Sequence, residues 1–72
     1  MDNNEMDKLR ILLSHWIEHN KEHSDEFKGW GDKARNMGKS LVQRDILDAA
    51  QYMEKSSESL QRALKELDKQ RP

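Results

Sequence analysis

Apolar residues return along the first half of the chain at alternating steps of three and four. Met6, Leu9, Leu13 and Trp16 are followed by the polar pair Asn20 and His23, and then by Phe27, Trp30, Ala34 and Met37. This spacing is the a/d seam of a heptad-repeating helix with two polar interruptions. Leu12 and Ile17 widen the stripe beyond a bare seam. The second half repeats the rhythm in Val42, Ile46, Ala49, Met53, Ser56, Leu60, Ala63 and Leu67, with Ala50, Ser57 and Leu64 as a flanking stripe. Both halves are rich in good helix formers, and the one Pro is the last residue.

Between the two stripes lies Asn36-Met37-Gly38-Lys39-Ser40. Gly38 suits the left-handed position that ends a helix. Ser40 with Gln43 three residues on suits a capping box that starts one. The pattern predicts helix 1 over about residues 5–37, a turn at 38–40, and helix 2 over about 41–68, all within one domain spanning 1–72. A connection this short makes the helices antiparallel neighbours. Gly29-Trp30-Gly31 weakens helix 1, because interior glycines cost about 1 kcal/mol each against Ala. The heptad nevertheless runs through it in phase, which favours a continuous or gently kinked helix.

Folding the hairpin at residues 38–39 pairs positions whose numbers sum to about 77. Phe27 and Trp30 then face Ala49, Ala50 and Ile46, and Trp16 faces Leu60 and Ala63. Asn20 and His23 fall beside Ser56 and Ser57, which predicts one polar layer in an otherwise apolar seam. Trp16, Trp30 and the methionines Met6, Met37 and Met53 are expected in the core. Two helices alone leave much of a widened apolar face uncovered, and such faces mark partner surfaces. The expected fold is all-α, a two-helix antiparallel hairpin that dimerises into a four-helix bundle. Leu12, Ile17, Ala50 and Leu64 are the expected contacts of that homodimer, with a different protein partner as the fallback.

Composition removes several other classes. Thirteen basic and fourteen acidic residues leave a formal net charge of −1, with no lopsided basic stripe, so nucleic acid is not an expected partner. Lys55, Arg62 and Lys69 have interleaved glutamates and form a solvated face. No Cys is present, which excludes disulfides and thiolate metal sites. No apolar run approaches the roughly 18 residues of a membrane helix, and no apolar segment after Met1 marks a secretory signal. Membrane insertion is therefore not expected, and a cytoplasmic address is.

All three histidines stand in one row, His15-Trp-Ile-Glu18-His19-Asn-Lys-Glu22-His23-Ser-Asp-Glu26. Imidazoles four residues apart share a helix face at chelating distance, and carboxylates three residues on can ligate a metal or orient a ring. His23 is at the seam, His19 flanks it and His15 faces solvent. The outer two lie about 12 Å apart along the axis, so one ion cannot take all three. The expected ligands for a transition metal such as Zn, Ni or Co are His19 and His23, assisted by Glu22 or Glu26, with His15 a weaker candidate. The competing expectation is that His23, Asn20 and the serines are a polar layer that fixes register, and that His15 and His19 are ordinary surface residues. The zinc-protease HExxH order is absent, and helix 2 has no His to complete a di-iron bundle. No phosphate loop, Cys nucleophile or serine-hydrolase elbow occurs, so an enzyme is not expected.

The stretch His15-Trp16-Ile17-Glu18-His19-Asn20-Lys21-Glu22-His23, followed by Glu26-Phe27, resembles a family of small prokaryotic helical-hairpin domains with a His-Trp-Ile-x-His-Asn-x-x-His signature. Some of those domains are attached to nickel or cobalt transport proteins. The resemblance implies a helical hairpin and suggests metal handling. Gly29-Trp30-Gly31 departs from the more helix-forming sequence of that family. The function expected from the sequence is a non-enzymatic interaction module, with a transition-metal-binding accessory protein using the His15/His19/His23 row as the alternative.

Overall fold

In a computed structural model that describes residues 3–69, the chain is two helices, α1 (Asn3–Asn36) and α2 (Ser40–Lys69), packed against each other as a ribbon 55 × 15 × 12 Å. The expected domain limits at residues 1–2 and 70–72 lie outside the described residues.

The turn follows from one residue. Gly38 has φ +77°, the left-handed region that a Cβ penalises. Its N–H donates to the Arg35 carbonyl at 2.9 Å, and the Lys39 N–H donates back to the Ala34 carbonyl at 2.9 Å. These two bonds are a Schellman motif, which satisfies carbonyls that α1 would otherwise leave open. The Gln43 N–H donates to the Lys39 carbonyl at 3.0 Å. Lys39 therefore takes the cap position, and the expected Ser40 capping box does not form.

α1 runs unbroken through Gly29 and Gly31. The two glycines differ in their surroundings. A Cβ on Gly29 would meet nothing within 4 Å, whereas one on Gly31 would lie 3.3 Å from Leu47 Cδ2. Gly31 is where the helices approach closely; Gly29 is only a weak helix former. Gly29→Ala is expected to stabilise the fold by about 0.5–1 kcal/mol. Gly31→Leu, which drives a whole side chain against Leu47 and Gln43, is expected to cost on the order of 1–3 kcal/mol. Urea unfolding followed by circular dichroism checks both. Equal effects at the two sites would refute the close approach.

The inward positions are Met6, Arg10, Leu13, Ile17, Asn20, Ser24, Phe27, Gly31 and Ala34 on α1. On α2 they are Gln43, Ile46, Ala50, Met53, Ser57, Leu60, Leu64 and Leu67, flanked by half-buried Leu47 and Ala49. In each helix one of the two expected seam rows is inward, and the other is replaced by its neighbour. On α1 the row Leu9, Trp16, His23, Trp30 gives way to Arg10, Ile17, Ser24, Gly31. On α2 the row Val42, Ala49, Ser56, Ala63 gives way to Gln43, Ala50, Ser57, Leu64. Trp16 and Trp30 are 40% and 52% exposed, and Met37 is 65% exposed, so the expected core role of these three is corrected. The physical reason is size. Gly31, Ser24, Ser57 and Ala50 let the backbones come close, and the bulkier row is displaced to the side. Ile17, Ala50 and Leu64, expected at a dimer contact, are turned into the hairpin itself.

Polar contacts fix the register. Asn20 Nδ2 donates to Ser56 Oγ at 3.4 Å, in the polar layer the sequence predicts. Ser24, 2% exposed, donates to the Ala50 carbonyl and to Glu54 Oε1. Lys28 Nζ lies 2.8 Å from Glu54 Oε1, and Arg10 Nε lies 2.8 Å from Asp68 Oδ1. Lys28 and then Ser24 hold the Glu54 carboxyl below its ordinary range, and Asp68 raises the Arg10 guanidinium further.

Candidate functional site

The two sides of the ribbon differ in chemistry. One side carries a shallow groove lined by Lys21, Asp25, Lys28, Glu54 and Glu58 over the Ser24–Ser57 layer. Two of these charges, Lys28 and Glu54, pair across the helices. On the other side lies the displaced α1 row, Leu9, Trp16, His23 and Trp30, which continues onto Met37 at the turn. Leu12 and His19 stand one helical row further out. From α2, Val42, Ala49, Ser56 and Ala63 occupy the matching heptad positions. Leu9 and Leu12 are each 43% exposed, and Val42 is also exposed. No described helix is long and apolar enough to cross a membrane.

Two imidazoles meet in the middle of this apolar side. His23 Nε2 lies 2.9 Å from His19 Nε2, with the rings edge to face. Glu26 Oε1 lies 3.5 Å from His23 Nδ1. A carboxylate at Nδ1 favours the proton there and leaves the Nε2 lone pair free. One of the two Nε2 atoms carries the hydrogen shared between the rings. His15 stacks on His19 with ring centroids 5.8 Å apart, on the side away from His23. His23 also tilts against Phe27 at 6.1 Å.

Of the five residues expected at a metal site, the fold therefore brings His19, His23 and Glu26 together. His15 stays one turn away, and Glu22 occupies the outermost heptad position and is exposed. His23 stands beside the seam, not in it, because the buried position at this level belongs to Ser24. Sequence reasoning passed over Ser24. Its spacing of seven from Ile17 and Gly31 was the available signal.

Imidazole nitrogens bind first-row metals at about 2.0–2.1 Å. Two nitrogens 2.9 Å apart subtend roughly 90° at such an ion, the cis angle of octahedral or square-planar coordination. Opening the gap by about 0.4 Å gives a tetrahedral edge. A metal would take the place of the proton shared by the two rings. Among the described residues no group of three His, Asp or Glu side chains is placed to hold an ion. One chain thus offers a two-nitrogen chelate with a carboxylate behind it.

A family model described as a domain of unknown function, DUF8180, matches residues 9–67. The chain is also similar to an uncharacterised protein from Archaeoglobus fulgidus, with 32% identity over 59 residues that cover 82% of this chain and 94% of the relative. No solved structure matches.

Proposed function

The chain belongs to the DUF8180 family, and from that premise we propose that it is a non-enzymatic interaction module, cytoplasmic, that docks through the apolar side of its hairpin. The observation that carries this is the pair of half-exposed tryptophans, Trp16 and Trp30, in one row with Leu9 and Met37. Single exposed apolar residues are ordinary, but a continuous row along a whole helix is a partner surface. The occupant proposed is a second copy, giving a four-helix bundle. On the other side of the ribbon Lys28 and Glu54 already pair across the helices, whereas the tryptophan row is open.

Light scattering during size-exclusion chromatography at high micromolar concentration tests this. A mass of twice 8.5 kDa is expected. The mass of a single chain would overturn self-association and leave the face to a different protein.

A second function is favoured by the 2.9 Å contact between His19 and His23, namely transition-metal binding as an accessory protein. The cis angle of that pair suits nickel or cobalt, and zinc once the gap opens to a tetrahedral edge. The resemblance to domains attached to nickel or cobalt transport proteins points the same way. Elemental analysis of protein purified without a histidine tag supports this if a stoichiometric metal is found, and refutes it if none binds on reconstitution.

A further inference from the structure

The displaced row of α1 reads nearly the same from either end. Leu9, Trp16, His23, Trp30 and Met37 are spaced by seven, with a large aliphatic residue at each end, a tryptophan inside each, and His23 at the centre. A twofold axis pairs a helix with its own copy in the antiparallel sense, so that each residue meets the one equally far beyond the axis. With the axis at His23, Leu9 faces Met37 of the second copy, Trp16 faces its Trp30, and His23 faces its His23. On such an axis a row that reads alike from both ends brings tryptophan to tryptophan and aliphatic to aliphatic side chain. A ribbon 55 Å long and 15 Å wide offers a face of roughly 800 Å², the area per partner of a stable interface. A formal net charge of −1 places no strong repulsion between copies.

The chemistry at the centre is incomplete in one chain. His19 and His23 supply two nitrogens on one side of an ion, with Glu26 behind His23 and no third donor gathered among the described residues. The same twofold that pairs the tryptophans carries a second His19–His23 pair to the opposite side of the axis. Packed helices run about 8–10 Å apart, so imidazoles reaching inward from both meet near the axis. We propose that the dimer binds one divalent transition-metal ion on its twofold axis, ligated by His19 and His23 of both copies. This rests on the self-association proposed above. Trp16 and Trp30 flank the ion on both sides along the helix and shield it from water, which favours a coordinated ion over a hydrated one. His15 and Glu22, turned outward, are not ligands.

The test titrates the untagged full chain with Zn²⁺ and separately with Ni²⁺, following stoichiometry by calorimetry and mass by light scattering. Half an equivalent of metal per chain is expected, together with a dimer that dissociates at least about tenfold less readily when metal is bound. His23→Gln is expected to abolish uptake and that tightening while leaving the helix content unchanged. His15→Gln is expected to change neither. A dimer that takes up no metal below millimolar concentration would overturn this inference alone. Saturation at one equivalent on a single-chain species would overturn both it and the self-association. Saturation at one equivalent on a dimer would mean that each chain closes its own site, and would overturn the shared ion only.

Discussion

Leu13→Ala is expected to cost about 2–5 kcal/mol, the range for emptying a buried leucine site. Leu13 is 5% exposed, and its buried apolar companions among the described residues are only Ala34 and Ala50. Among the described residues it is thus the one large apolar side chain that the hairpin buries. Domains of this size hold only about 3–5 kcal/mol of stability from their cores, so the change removes half or more of what is available. The readout is the urea midpoint by circular dichroism, at fixed protein concentration because association adds its own stability. A loss below about 1 kcal/mol would mean that the neighbouring side chains collapse into the space. The seam at that level would then be loosely packed. Lys55→Ala, on the exposed outer face of α2, serves as the control and is expected to stay near the small values of surface substitutions.

Trp16→Glu is expected to dissolve the dimer. A tryptophan anchor at an interface costs at least about 2 kcal/mol when lost, and a twofold interface loses it twice. The dissociation constant then rises by about three orders of magnitude. Helix content is expected to survive, since Trp16 is not in the intrachain seam. Light scattering over a concentration series checks the shift. An unchanged dimer would place the interface elsewhere on the ribbon. Trp30→Glu is expected to behave alike, because the proposed axis pairs the two tryptophans.

Much of this architecture is legible in the sequence because helices advertise themselves by period. The alternation of three and four marks both elements, and Gly38 marks the turn. Pairing by a sum of about 77 anticipates the contact of Asn20 with Ser56. What the pattern does not decide is which of two adjacent rows turns inward. On α1 the row with Trp16 and Trp30 is more hydrophobic than the row with Ser24 and Gly31, so hydrophobicity alone selects the former. Backbone proximity selects the latter, since small residues allow an approach that tryptophans prevent. The same choice decides the candidate site. With the tryptophan row inward, His23 would be a buried register residue. With Ser24 inward, His23 swings out to meet His19 on the open side. A carboxylate at its Nδ1 is foreseeable from the three-residue spacing to Glu26, but the separation of Glu22 from the pair depends on the rotation of the helix.

The Schellman turn at Gly38 also sets the order in which the molecule closes and opens. The close approach beside it, at Gly31 and Leu47, joins residues near in sequence. The Arg10–Asp68 ion pair at the far end joins residues 58 apart. The entropy of closing a loop grows with its length, so pairing that starts at the turn always extends by the shortest available loop. The hairpin therefore closes like a zipper from its turn and frays from its open end. The Asn20–Ser56 contact, part of the way along, forms only after the Gly31 crossing has formed.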